Sequence, residues 1–155
     1  MRWDLTRTSR TWRHRKAGTT ATKRITLAQF VESAGVTLTA RRTVDNPNMD
    51  DADHMDNWLV TLKAGTGRMR LPYSMGTGHK GAAPTVASVL DCLASDAAGV
   101  ANARDYDDWC AEYGYNTDSR RAERTYRIIQ RQSAHLSALL GESAYQTLLW
   151  HTERE

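Results

Sequence analysis

Four arginines carry the clearest chemical signal in this chain. Arg120, Arg124, Arg127 and Arg131 fall at offsets of 0, 4, 7 and 11, which places them along one narrow stripe of a helix. Arginine presents a planar fork of donors that suits bidentate contact with phosphate or carboxylate. This arginine stripe therefore predicts binding to an anionic partner. The alternative is a solvated helix face, partly neutralised by Glu123, four residues before Arg127.

A glycine-rich segment offers a second candidate contact with phosphate. Gly76, Gly78, His79 and Lys80 belong to a G-x-G-x-x-G match between a predicted strand and a predicted helix. A dinucleotide-binding fold needs a parallel βαβ unit, whereas this strand alternates in polarity and belongs to a hairpin. A plain glycine-rich loop is therefore the main interpretation. Phosphate contact through His79 and Lys80 is its functional alternative.

An acidic run between the first two predicted strands could serve as a partner surface. Its candidate residues are Asp50, Asp51, Asp53 and Asp56. The EF-hand pattern is absent, because a proline takes the third position and no glutamate closes a twelve-residue loop. A solvated acidic loop is one interpretation. The other is a surface that imitates phosphates toward a basic groove on another protein.

The sequence predicts no catalytic residue, metal site or cofactor. Cys92 and Cys110 stand 18 residues apart without a C-x-x-C motif, and the five histidines lack the spacing of a zinc site. Reduced thiols in a cytoplasmic protein are the expected state. A Cys110 nucleophile with His79 is the catalytic alternative, although no third group is placed to orient the pair. We therefore expect binding rather than enzymatic turnover.

Charge divides the chain into a basic tail and an acidic domain. The 155 residues carry a formal charge of +3, yet residues 1–24 hold eight bases and one acid, which leaves −4 on residues 25–155. The tail lacks apolar periodicity and is predicted to be disordered. It is either a nucleic-acid arm with Trp3 and Trp12 for stacking or a solvated extension. No window is apolar enough for a membrane span, so we expect one soluble domain over residues 25–155.

The domain opens with a helix and three strands. Thr26 and Gln29 form a T-x-x-Q capping box that predicts a helix over 27–34. The polarity then alternates with period 2 in three segments, around 36–44, 58–64 and 68–75, which indicates strands. Glycines at a hairpin-length turn join the second and third strands, and Pro72 favours an edge position for the third.

The second half is predicted to be helical. Pro84 suits the first position of a helix that ends at Gly99, and Asp105 caps a short helix that ends at Gly114. A long helix from about Asp118 to Gly141 and a last helix follow. The predicted fold is α+β: a short N-terminal helix, a three-stranded antiparallel sheet and four helices packed on one face of the sheet.

Several short segments resemble a group of small accessory proteins from tailed phages, prophages and bacterial mobile elements. The segments are DNPNMDD (45–51), MDNWLVTL (55–62), YSMGTGH (73–79), VLDCLASDAAG (89–99), DYDDWCAEYGY (105–115) and DSRRAERTY (118–126). The resemblance runs through most of residues 26–153 and excludes 1–24. It implies a protein of the bacterial cytoplasm and an anti-CRISPR or anti-restriction inhibitor that binds a host defence nuclease complex stoichiometrically. The alternative is a nucleic-acid-binding accessory protein that uses the arginine stripe and the basic tail.

Overall fold

The computed structural model describes residues 24–49, 55–76 and 82–153, which form an α+β domain with five helices. The elements follow in the order β1 (Ile25–Thr26), α1 (Leu27–Ala34), β2 (Thr37–Arg42), β3 (Met55–Ala64), β4 (Gly67–Gly76), α2 (Val86–Asn102), α3 (Tyr106–Tyr113), α4 (Arg120–Leu140), α5 (Glu142–Trp150) and β5 (Thr152–Glu153). No helix in these three ranges has the length and apolar character needed to cross a membrane. The predictions for the tail, residues 1–23, lie outside the described residues.

The predicted antiparallel sheet is confirmed, with strand order β2-β3-β4. Val60 of β3 lies opposite Ala40 of β2 on one side and Leu71 of β4 on the other, so apolar residues of all three strands share one face. The β3–β4 turn uses Gly65 at φ 60, a left-handed value that favours glycine. β4 is an edge strand, as Pro72 predicted.

A parallel pairing that the sequence did not predict joins the two ends of the described domain. β1 lies beside β5, with Ile25 opposite Thr152, and the Ile25 amide donates to the His151 carbonyl at 3.1 Å. Thr152 is almost fully buried, and its hydroxyl donates to the Thr147 carbonyl at 2.8 Å. The start of the domain is thereby fixed to the end of α5, which no local sequence pattern could indicate.

Two clusters of buried side chains hold the elements together. The larger joins the apolar face of the sheet to α2, α4 and α5, through residues such as Leu62, Leu90, Leu136 and Leu148. The smaller surrounds Trp109 and Cys110 of α3 and includes Ala122 and Ile129 of α4. Because α4 contributes to both clusters, one helix spans the domain and is fixed along most of its length.

The boundaries of α2 differ from the prediction at both ends. Pro84 does not occupy the first helical position, because Thr85 and Ser88 form a capping box and the helix begins at Val86. Gly99 does not end the helix, which continues to Asn102. A Cβ on Gly99 would lie 2.5 Å from the Tyr113 hydroxyl oxygen, so the glycine serves close packing of α3 on α2.

Other helix ends agree with their local signals. The Thr26 hydroxyl accepts from the Gln29 amide at 3.1 Å, and the Gln29 side chain accepts from the Thr26 amide at 2.9 Å. Asp105 caps α3, which ends at Gly114 with φ 78. These caps depend on residues three positions apart, and for this reason the sequence alone indicates them.

Candidate anion-binding face

The orientation of the arginine stripe is set by how α4 is anchored. The Ser119 hydroxyl accepts from the Ala122 amide at 3.2 Å and caps the helix one residue after the predicted start. Ala122, Ile129 and Leu136 follow at intervals of seven residues and are all buried. Because residues seven apart lie on the same side of a helix, these three fix the opposite side toward solvent.

Aromatic packing fixes the N-terminal half of α4. The Tyr126 ring lies with its centroid 5.0 Å from that of Tyr106 and 5.1 Å from that of Trp109. The Tyr106 hydroxyl donates to the Thr117 carbonyl at 3.1 Å, which ties α3 to the segment before α4. Burial raises the pKa of Tyr126, so its phenol stays neutral at physiological pH. The stripe is therefore held by a neutral, close-packed support.

All four residues of the arginine stripe are exposed. Glu123 is the only acidic residue of α4, and its Oε2 lies 3.3 Å from Nη2 of Arg127. With Arg121, five arginines stand against that single acid, a formal charge of +4 on one helix. Among the described residues, those that line the depression of about 590 Å³ along the stripe all belong to α4.

The sheet contributes a second basic wall that the sequence did not reveal. Arg70 of β4 lines a groove of about 310 Å³ together with Arg131 and His135 of α4. Leu71 and Gln132 are also among its walls, so apolar and amide groups lie between the bases. This cationic groove continues the arginine stripe beyond α4. Strand and helix periodicity each place a residue on one face of its own element, but only the packing of α4 against β4 brings these bases together.

A hydrogen-bonded network holds the loop at the end of the cationic groove. Nδ2 of Asn46 donates to the Ser74 hydroxyl at 2.8 Å, and that hydroxyl donates to Oδ1 of Asn57 at 2.7 Å. Nδ2 of Asn57 donates to the backbone carbonyl of Val44 at 3.2 Å. Asn46 and Asn57 are both buried, so the network fixes the chain after β2 against β3 and β4. Asn48, which follows Asn46, lines the groove.

The acidic run is only partly described. Asp50, Asp51 and Asp53 lie outside the described residues. Asp56 does not belong to the connecting loop as predicted, because β3 begins at Met55 and Asp56 pairs with Met75 of β4. Its Oδ1 lies 3.6 Å from Nη1 of Arg42, and its Oδ2 is buried. Asp56 is therefore a structural ion-pair residue rather than an exposed acid for a partner.

The glycine-rich segment is likewise divided. Gly76 is the last residue of β4, where it lies opposite Met55, and so it belongs to the sheet rather than to a phosphate loop. Gly78, His79 and Lys80 lie outside the described residues. The strand before the segment is antiparallel, which agrees with the argument against a dinucleotide-binding fold.

The two cysteines and the acids at the start of α3 differ in their surroundings. Cys110 is buried in the aromatic cluster, whereas Cys92 is exposed on α2. Asp105 caps α3, and Asp108 accepts from the Arg104 amide at 3.0 Å. Within residues 24–49, 55–76 and 82–153, no three His, Cys, Asp or Glu side chains cluster as metal ligands would.

Comparison with protein-family models, curated proteins and solved structures finds no match for this chain. The resemblance to accessory proteins of mobile elements, and the anti-defence role that it implies, stay predictions. The residues that the fold brings together are those of the arginine stripe and the cationic groove. Within the described residues, the arginine stripe is an exposed row of guanidinium groups on a fixed helix.

Proposed function

We propose that this protein binds a polyanion through the arginine stripe, and that the partner is the phosphate backbone of a nucleic acid. The observation that carries the proposal is the composition of α4, which contains five arginines and one glutamate and is fixed along the side opposite the arginine stripe. An exposed helix face more often mixes the two signs of charge. A row of one sign, held in place, attracts anions over its whole length.

The spacing of the stripe supports a linear partner. With a rise of about 1.5 Å per residue, successive arginines are offset by about 6, 4.5 and 6 Å along the helix axis, and the row spans about 16 Å. A repeating row of cations suits a repeating row of anions. Guanidinium groups can contact phosphate oxygens bidentately, which adds orientation to simple attraction.

The cationic groove favours nucleic acid over an isolated acidic patch. Arg70 and His135 extend the positive surface past Arg131 and onto β4. A backbone of phosphates would meet cations from both elements, whereas a compact acidic patch would need only a few of them. The eight bases of residues 1–24 add to the attraction whatever their structure.

A host defence nuclease complex is the competing partner that the resemblance implies, and it would be bound through the acidic run or through the arginine stripe. The same guanidinium groups can bind carboxylates, so chemistry at a single arginine does not separate the two partners. Asp56 gives the competing hypothesis no help, because it is paired with Arg42. Binding to bare nucleic acid is the property that separates them.

The test measures binding of a fluorescent 20-base-pair duplex by anisotropy at several salt concentrations. The stripe variant replaces Arg120, Arg124, Arg127 and Arg131 with glutamine. A charge-matched control removes four exposed bases from elsewhere, as Arg41→Gln, Lys63→Gln, Arg68→Gln and Arg104→Gln. Both variants lose the same net charge, so a difference between them reports position.

We expect the wild type and the control to bind the duplex, and the stripe variant to bind it at least about 100-fold more weakly at low salt, for about four lost phosphate contacts. Equal affinities for the two variants would reject the stripe as the binding face. If the wild-type protein does not bind nucleic acid but does bind a purified defence nuclease, the competing hypothesis is supported and the proposal is rejected.

A further inference from the structure

Two adjoining cavities lie between α2, α3 and α4, and the first of them shares part of its wall with the cationic groove. One, of about 190 Å³, reaches from the β4 edge to α2 and α4, and the other, of about 200 Å³, reaches to the aromatic residues around α3. They share Asp96, Thr125 and Ile129 in their walls. Among the described residues, Asp96 supplies the one carboxylate at the junction of these two mostly apolar spaces.

The described residues give Asp96 no basic neighbour in either cavity wall. None of those that line the two cavities is a lysine, arginine or histidine. Within the described ranges, Asp96 also makes no hydrogen bond or ion pair with another side chain. A carboxylate removed from water without a partner is costly, and a cation placed beside it recovers much of that cost.

The electrostatics of Asp96 agree with this arrangement. Desolvation raises the pKa of Asp96 to about 6, so the carboxylate is still mostly ionised at neutral pH. The wall on the α3 side offers the faces and edges of aromatic rings, from Trp109, Tyr113 and Tyr115. Trp109 and Tyr115 stack with centroids 5.1 Å apart. Aromatic rings near an anion are typical surroundings for an organic cation.

We infer that these cavities form a binding site for a planar organic cation, an amidinium or guanidinium group carried on an apolar body. The charged fork would pair with the Asp96 carboxylate, and the apolar body would occupy the space beside Ile129 and the aromatic wall. The Thr125 hydroxyl, which both cavities share, offers one further polar contact. No residue of the arginine stripe lines either cavity, so the stripe can be changed without altering the walls of this site.

Three probes of nearly the same shape isolate the charge. Benzamidine carries the cation, benzamide is its neutral analogue and benzoate is the anion. Titration of the folded protein is followed by two-dimensional NMR, with the Trp109 indole N–H, assigned through Trp109→Phe, as a reporter in the cavity wall. Calorimetry supplies the dissociation constants.

We expect benzamidine to shift the Trp109 resonance and to bind at least about tenfold more tightly than benzamide, a difference of about 1.4 kcal/mol. Benzoate should not bind. Asp96→Asn should weaken the binding of benzamidine at least about tenfold. Asp91→Asn, the same change on α2 outside the cavity walls, should leave the affinity for benzamidine unchanged. The glutamine variant of the stripe should bind benzamidine as the wild type does.

Equal binding of benzamidine and benzamide would overturn the inference, as would full affinity in the Asp96→Asn variant or saturation without any change at Trp109. A capped arginine, Nα-acetyl-arginine N-methylamide, separates two sources of the cation. Tighter binding of this compound than of benzamidine points to an arginine side chain of a partner protein, and weaker binding points to a free small molecule. Either result supports the site, whereas failure of both compounds to bind refutes it.

Discussion

Replacing Asp96 with asparagine should stabilise the folded protein at neutral pH. The folded-state pKa of about 6 exceeds the ordinary value of 3.8 by about 2 units, because the carboxylate is partly desolvated. At about 1.36 kcal/mol per unit, the ionised form costs the fold about 3 kcal/mol above pH 6. Asparagine keeps the shape of the side chain and carries no charge, so the variant avoids this cost.

The sign of the pH dependence follows from the raised pKa. Between about pH 4 and pH 6 the folded chain holds a proton that the unfolded chain has lost, so the contribution of Asp96 to stability falls as pH rises through this window. The free energy of unfolding of Asp96→Asn should therefore exceed that of the wild type by about 3 kcal/mol at pH 7.5 and by about 1 kcal/mol at pH 4.5. For a chain of this size, 3 kcal/mol corresponds to a rise in Tm of about 6–12 °C.

Urea unfolding of both proteins at pH 4.5 and pH 7.5 measures the difference directly. Asp45→Asn, at an exposed position, serves as the control. Its free energy of unfolding should stay within about 0.5 kcal/mol of that of the wild type at both pH values. An Asp96→Asn variant that is less stable than the wild type at pH 7.5 would show that the carboxylate has a partner. An advantage that does not change with pH would show that the effect is not titration of Asp96.

Two further predictions concern the packing of the domain. Gly99→Ala should lower the free energy of unfolding by about 1–3 kcal/mol, because the new methyl group meets the Tyr113 hydroxyl. Adding Tyr113→Phe to this variant should restore part of the lost stability. A Gly99→Ala variant with the same Tm as the wild type would contradict the close approach of these two residues. Ser74→Ala should cost about 1–3 kcal/mol and speed hydrogen exchange at the Met49 amide, which bonds to the Asn46 carbonyl. If Ser74→Ala left the hydrogen-exchange rate of the Met49 amide unchanged, the hydrogen-bonded network would not be what holds this loop in place.

Local signals predicted the parts of the fold that depend on a few adjacent residues. Asp105 and Gly114 delimit α3 because a cap needs only the residues near it, and alternating polarity indicated the three strands of the sheet. The position of Gly99 depends instead on Tyr113, which arrives from another helix. A glycine inside a helix and a glycine at its end look alike until the neighbouring element is placed.

The candidate sites divide along the same line. The arginine stripe could be predicted because all four residues belong to one helix with one period. Arg70 could not be predicted to lie beside the stripe, because only the packing of β4 on α4 brings it there. Asp56 lies in β3 rather than in the acidic loop, because β3 begins earlier than its apolar pattern indicated. Asp96 stands among the apolar residues of α2, so its sequence context gave no sign of the cavities that α3 and α4 form around it.

The salt dependence of nucleic-acid binding tests the role of the arginine stripe most directly. If the four guanidinium groups each neutralise one phosphate of duplex DNA, replacing them with glutamine should reduce the slope of log K against log salt by about 3.6. The charge-matched control should keep a slope within about 1 of the wild type. Equal slopes for the stripe variant and the control would contradict the account, because the arginines would then attract nucleic acid no more than bases elsewhere on the domain.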